Sequence, residues 1–290
     1  MRHTFVYADW LYDQIYDRPS TDKDDLLVIQ VGDGTHDDFR LGHLPGAIYL
    51  DTSAIESAPS WNLLPDAQLE QSLLAHGIHS EKPVVLYGRD RLAVSRVALA
   101  LLYAGVRDVR VIWGGIEAWS RAGYALETGD ILPQPVADFG RKIPAHPEFI
   151  VDMEQVRRLL VGKKAVLACV RSWEEYIGQT SGYDYIRPKG RIPGSVWAPL
   201  PQDEAYRDQQ SQSPELAAKL LDEIAISWRK KGLSPDKKVV FYCGTGWRAS
   251  EAFLYASMLG WKDISIYDGG WLEWSAQAEN PIGVGEPKSF

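Results

Sequence analysis

The residues best equipped for chemistry lie in one run, Cys243-Gly244-Thr245-Gly246-Trp247-Arg248. It follows the apolar stretch Lys238-Val239-Val240-Phe241-Tyr242, which reads as a strand, and precedes a helical run from Ala249 to Leu259. A cysteine between a strand end and a helix start faces the unsatisfied N–H groups of the first helical turn and the positive end of the helix dipole. Such groups stabilise an anion, and the thiolate is the nucleophilic form of cysteine. Glycines at 244 and 246 permit the backbone angles with which a loop curls around an anion. The Thr245 hydroxyl adds a further donor. The length of the loop limits which anion sits over the sulfur.

The elements that carry this run occur twice. Val84 to Trp119 aligns with Val239 to Trp274 at a constant offset of 155, without a gap, and ten of the 36 positions are identical. Tyr87/Tyr242, Ser95/Ser250, Gly105/Gly260, Gly114/Gly269, Gly115/Gly270 and Trp119/Trp274 are among them. Upstream, Gly42-His43-Leu44-Pro45-Gly46 matches Gly190-Arg191-Ile192-Pro193-Gly194, and Leu26–Val31 matches Ala165–Val170. Self-similarity of this kind marks a duplicated unit. In the second half, strands are expected at Val166–Val170, Ser195–Trp197, Val239–Tyr242 and Ile264–Tyr267, with helices at Asp152–Leu160, Pro214–Lys231 and Ala249–Leu259. Strand–helix alternation implies an α/β fold with a mostly parallel sheet flanked by helices in each half. The proline-rich stretch between the halves reads as an extended linker. The expected division is residues 1–126, a linker at 127–147, and residues 148–290.

The differences between the halves carry the functional signal. Cys243 aligns with Gly88, and Arg171 aligns with Gly32. A reactive thiol and a candidate anion-binding arginine are both missing from the first half, which fits one working site and one degenerate copy. The second half also carries nine extra residues between Arg171 and Gly190. Their glycines, tyrosines and basic residues suit either a loop at a site's mouth or a plain surface loop. Arg187 and Lys189 are candidate further anion contacts.

Composition bounds the rest. With 290 residues, 45% hydrophobic and 24% charged, the chain has material for two soluble cores. A net charge of −8 argues against general nucleic-acid binding. No run is apolar enough to span a bilayer, and Met1–Trp10 lacks the apolar core of a signal peptide, so a cytoplasmic setting is expected. An upstream segment is left open. Two cysteines, Cys169 and Cys243, make no disulfide framework and sit in no metal-ligand pattern, which suits a reducing compartment. No metal or cofactor is called for. Cys169 reads as an inert core thiol.

Together these motifs resemble the tandem-domain rhodanese family of sulfurtransferases, over nearly the whole chain. Cys243, Gly246 and Arg248 match the family's active-site loop. Gly42 to Ala47, and more loosely Gly190 to Ser195, match its Gly-His-x-Pro-Gly-Ala element. Tyr267 to Trp274 matches its closing element. The resemblance implies an inactive rhodanese-like domain at 1–126 and a catalytic one at 148–290, whose site faces the first domain. It implies a double displacement: the Cys243 thiolate takes the outer sulfur of a small anionic donor and passes it from a persulfide to a thiol or cyanide. Gly244, Thr245, Gly246, Trp247 and Arg248 are the expected substrate-binding loop, and Arg171 the expected grip on the donor's anionic end. Arg248 either contacts the anion or braces the loop from behind. Trp247 either walls the pocket or packs. His43 is given no catalytic role, and Ser250 and Asp268 read as polar supports.

Two departures bear on the donor. The family's Asp-x-Arg at the first strand end reads Cys169-Val170-Arg171 here. The loop's Gly244-Thr245 resembles the mercaptopyruvate branch rather than the basic residues of thiosulfate users, yet Trp247-Arg248 departs from that branch too. Thiosulfate and 3-mercaptopyruvate both stay open, as do the acceptor and the oligomeric state. Cysteine phosphatases share the cysteine–loop–arginine cradle, but their loop is one residue longer. Four residues between Cys243 and Arg248 suit a single sulfur rather than a phosphate. A non-catalytic sulfur-carrier or binding module is the other alternative, disfavoured by the retained Cys243.

Overall fold

The computed structural model describes residues 5–17, 26–34, 36–162, 165–201, 209 and 213–287. Met1 to Thr4, part of the stretch inspected for a leader, lie outside these. The chain forms two compact units, the first built mainly from residues up to Pro147 and the second mainly from Glu148 onward.

Each unit contains a five-stranded sheet. The first runs Ile48–Asp51, Leu27–Gly32, Val84–Tyr87, Val109–Ile112, Phe5–Val6 across its width. The second runs Val196–Trp197, Val166–Cys169, Val239–Tyr242, Ile264–Tyr267, Ile150–Val151. The order is the same in both, and the pairings within each sheet are parallel. The repeat read from the sequence is therefore a repeat of topology, and each half is α/β as expected.

The strand Val239–Tyr242 lies in the middle of its sheet, with Val240 opposite Leu167 on one side and Ser265 on the other. All four of its residues are buried. A strand covered on both faces needs an unbroken apolar run, which is what this sequence supplies. Its central place puts the next residue, Cys243, at the C-terminal edge of a parallel sheet, where such folds hold their ligands.

The helix that follows spans Trp247–Met258 and packs on the strands Val239–Tyr242 and Ile264–Tyr267. It starts two residues earlier than the expected Ala249. Gly246 adopts a left-handed φ of 94° and caps the helix, and the Ser250 N–H bonds the Gly246 carbonyl at 2.8 Å. Trp247 and Arg248 consequently belong to the first helical turn. The helix Met153–Gly162 begins after Asp152, which exchanges two side chain–backbone bonds with Gln155 at 2.7 and 2.8 Å. That reciprocal cap sets its start.

The stretch 127–147, read as an extended linker, is irregular but well tied. Glu127 bridges His43, Phe139 is fully buried with its carbonyl bonded by the Ser80 N–H, and Ala145 donates to Tyr103. Its prolines prevent regular structure while its apolar residues still seek burial.

The repeated tyrosine explains the repeated glycine–proline element. Buried Tyr242 accepts the Ile192 N–H at 3.3 Å and bonds Ser195 Oγ at 2.9 Å. Buried Tyr87 accepts the Leu44 N–H at 2.9 Å and donates to Gln30 Oε1 at 2.9 Å. In both units a central-strand hydroxyl satisfies a turn that no strand reaches. Replacing Tyr242 by Phe leaves the buried Ile192 N–H without its acceptor. A loss of about 1–3 kcal/mol is expected, read as a lowered urea midpoint by tryptophan fluorescence.

Candidate active site

Cys243 is 1% exposed and stands where the strand Val239–Tyr242 ends. Its carbonyl accepts the Trp271 N–H at 2.8 Å, and the Gly244 carbonyl accepts the Leu272 N–H at 3.0 Å. The donors lie in the first turn of the helix Gly270–Ala276, whose N-terminal N–H groups have no partner within the helix. In a trans peptide the N–H points opposite to the C=O. Fixing these two carbonyls therefore turns the N–H groups of Gly244 and Thr245 away from that helix. Contact this close requires Gly270: its φ is 54°, and a Cβ there would lie 2.5 Å from the Gly244 carbonyl oxygen.

The next helix brings its N-terminus to the same loop. Gly246 caps it without a side chain, so the cap residue itself makes no side-chain bond to the first turn. Thr245 is buried, and the Ser250 hydroxyl is turned back to the Gly246 carbonyl at 2.9 Å. The chemical result is a thiol beside peptide dipoles arranged for an anion.

Of the two roles open to Arg248, the geometry has it bracing. Its two Nη atoms each donate to one oxygen of Glu175, both at 2.8 Å. Nη2 also donates to the Tyr183 hydroxyl at 2.5 Å. Glu175 sits at the third position of the helix Trp173–Ile177 in a complete capping box with Ser172. Burial alone would raise its carboxyl pKa; the Arg248 guanidinium and the Ser172 N–H outweigh burial and hold it below the usual range. Burial also opposes the charge of Arg248, and the Glu175 carboxylate more than restores it.

The insert supplies the third member. The Tyr183 hydroxyl accepts the Gly244 N–H at 3.1 Å as well as the Arg248 bond. Gly182 beside it passes so near Glu175 that a Cβ would fall 2.4 Å from the carboxyl. The insert is thus seated on the loop of residues 243–248 at Tyr183. Its basic residues are not: Lys189 donates to the Gln179 carbonyl at 3.2 Å, and Arg187 is exposed. Trp271 secures the far end of the insert, its indole N–H donating to the Pro188 carbonyl at 2.9 Å.

Arg171 lies inside the unit with no exposed surface. Nη2 donates to the Gly190 carbonyl at 2.6 Å and Nε reaches Cys169 Sγ at 3.4 Å, with the group lying over the Trp271 ring at 4.9 Å. Its remaining nitrogen, Nη1, is buried without a protein partner. Cys169 is fully buried in the same core. Trp247 is half-buried at the helix start. His43 belongs to the first unit, stacked on Phe39 at 4.1 Å with Nδ1 at 2.9 Å from the Phe39 carbonyl.

The aligned loop of the first unit is closed by its own side chain. There Asp90 caps the helix Arg91–Ala104, accepting the Leu92 N–H at 2.7 Å and the Ala93 N–H at 3.4 Å. Asp90 aligns with Thr245. One half fills its helix N-terminus with a carboxylate, while the other keeps a short neutral residue beside a cysteine.

Glu175 and Tyr183 are the site residues that pattern reading did not single out. The Ser172-x-x-Glu175 spacing signals a capping box, but nothing local says that the carboxylate also meets Arg248. Tyr183 lies in an insert already marked by its tyrosines, with no signal to choose among them.

With this geometry in place, comparison with known proteins becomes specific. The chain belongs to the rhodanese-like domain family, whose model matches residues 8–122 and 152–277. It is 45% identical to the thiosulfate sulfurtransferase YnjE of Escherichia coli K12 over 97% of this chain, and it spans 65% of that protein's length. It is 27% identical to the 3-mercaptopyruvate sulfurtransferase of the same organism, over 96% of this chain and 97% of that protein. A structure of a tyrosine-to-phenylalanine variant of EanB, bearing a cysteine persulfide in a tetrahedral intermediate state with ergothioneine, superposes with a TM-score of 0.87 at 38% identity, covering 98% of this chain and 71% of that one.

The Glu175–Arg248 pair makes stability depend on acid. The folded carboxyl pKa lies below its unfolded value of about 4.3. The pair's contribution is therefore complete above that value and drains away as pH falls through the lower, folded one. Glu175→Gln should remove this acid dependence and cost about 3–5 kcal/mol at neutral pH by leaving Arg248 uncompensated. Urea titrations of both proteins between pH 3 and pH 7, on the order of the range where such a carboxyl titrates, check both effects.

Proposed function

We propose that this protein is a sulfurtransferase that moves a sulfane sulfur from a small anionic donor to a thiophilic acceptor through a persulfide on Cys243. The observation that carries the proposal is a cysteine at a strand end beside the Gly246-capped helix start, next to a Thr245 peptide N–H whose direction is set by Leu272. In the first half-reaction the thiolate attacks the donor's outer sulfur. A new S–S bond forms, and the electron pair of the broken bond leaves with the donor, as sulfite from thiosulfate or as the enolate of pyruvate from 3-mercaptopyruvate. In the second, cyanide or a thiolate attacks the outer sulfur and the electron pair returns to Cys243.

Each remaining site residue has a part in this proposal. The Gly246-capped helix start and the Thr245 group hold the sulfur's negative charge. Arg248 keeps the loop's shape through Glu175. Arg171 grips the anionic end of the donor through Nη1, the buried nitrogen left unsatisfied by the protein. Buried polar groups without partners are uncommon enough to call for such an explanation. Gly244 and Thr245 bring no positive charge, so Arg171 is the cation available for either donor.

Resemblance to proteins named for thiosulfate and for 3-mercaptopyruvate supports the class and leaves both donors in play. Steady-state kinetics with each donor and cyanide as acceptor separates them. Cys243→Ala should abolish transfer and the gain of one sulfur atom's mass on the protein. Arg171→Lys should raise the donor KM by about tenfold or more, because an ammonium cannot hold the Gly190 and Cys169 contacts and present a further donor in a fixed direction at once. A Cys243→Ala protein that still transferred sulfur at the wild-type rate would end the proposal.

A further inference from the structure

The Tyr183 hydroxyl is fixed in an unusual way. A phenol has one proton to donate and two lone pairs to accept with. Both lone pairs are taken here, one by the Gly244 N–H and one by Arg248 Nη2. Neither bond uses the phenol's own proton, and among the described residues no protein acceptor receives it. The two donors come from residues on either side of the loop, so they dictate where the O–H points as well as where the oxygen sits. Gly244 is joined directly to Cys243, which places the hydroxyl beside the cysteine.

The charge state of this group is settled by its surroundings. Burial raises the Tyr183 pKa far above the ordinary phenol value, and a negative Cys243 raises it further, against the pull of Arg248. Tyr183 therefore keeps its proton beside a thiolate. No hydrogen bond joins it to Sγ of the resting cysteine. A persulfide extends the side chain by an S–S bond of about 2 Å, and the outer sulfur is the group that needs a donor.

We propose that Tyr183 is a catalytic residue of the second half-reaction, its hydroxyl donating a hydrogen bond to the outer sulfur of the Cys243 persulfide. The inference rests on the persulfide mechanism proposed above. Donation withdraws electron density from the outer sulfur and makes it a better electrophile. When cyanide attacks, the C–S bond forms, the S–S bond breaks and the electron pair returns to Sγ. The phenol keeps its proton throughout, and nothing is oxidised or reduced overall. Glu175 is a positioning residue in this scheme: it orients Arg248, and Arg248 orients Tyr183.

The test is single-turnover transfer to cyanide from protein preloaded with sulfur. Loading with inorganic polysulfide, a chemical persulfidating reagent, makes the measurement independent of the natural donor. Tyr183→Phe keeps the ring and removes the hydroxyl. Transfer should slow by at least about tenfold, in line with loss of one aimed hydrogen-bond donor, while loading by the preferred donor changes less than about threefold. Replacement of Tyr183 by a fluorinated tyrosine of lower phenol pKa keeps both accepted bonds and strengthens the donor. It should carry transfer above the wild-type rate. A purely structural Tyr183 predicts a fluorinated protein no faster than wild type, since both accepted bonds are kept, or a Tyr183→Phe protein indistinguishable from wild type, and either result would overturn the assignment. If thiosulfate and 3-mercaptopyruvate both fail to load Cys243, the sulfurtransferase proposal falls separately, and the polysulfide-loaded protein still reports on Tyr183.

Discussion

Hydrogen bonds from Trp271 and Leu272 to the carbonyls of Cys243 and Gly244 set the direction of the peptide dipoles at the head of the loop. A loop of this length has too few internal bonds to hold such a curl against water. The constraint comes from outside it, from the start of the last helix of the unit, where N–H groups need acceptors anyway. Two needs are thereby met together: the helix start is satisfied, and the Gly244 and Thr245 N–H groups are turned away from that helix, the first of them onto the Tyr183 hydroxyl. Gly270 is the consequence, since no side chain fits between these backbones.

A second layer of order comes from a buried charge pair. Arg248 and Glu175 lie on separate helices, and their two-pronged contact locks the start of the helix Trp247–Met258 to the helix Trp173–Ile177. Burying ions is expensive, and such pairs seldom stabilise a fold more than apolar packing would. What this pair provides is orientation. Through Arg248 it fixes Tyr183, and through Tyr183 it seats an insert that the first half of the chain lacks.

The duplicated architecture shows how little must change to separate a site from a scaffold. Both units share sheet order, the central-strand tyrosine and a glycine pressed against the loop. In the first, Gly88 replaces the thiol and Asp90 occupies the helix N-terminus that an external anion would use. A carboxylate in that place stabilises the helix start by the same dipole that would otherwise favour a ligand. The two loops thus differ in whether a carboxylate side chain caps the following helix.

The sequence by itself determined the α/β class, the repeat, the strand Val239–Tyr242 and the singular position of Cys243. These follow from periodicity and from residue identity, which act over short distances along the chain. Sequence also limited Arg248 to two roles and marked the insert as unusual. Tertiary structure chose the brace, because only folding brings Glu175 within reach of a residue 73 positions away. It likewise seated Tyr183 of the insert on the loop, enclosed Arg171 with one nitrogen unsatisfied, and began the helix Trp247–Met258 two residues early. Each of these depends on hydrogen bonds between groups distant in sequence, whose partners are set by packing and leave no periodic trace along the chain.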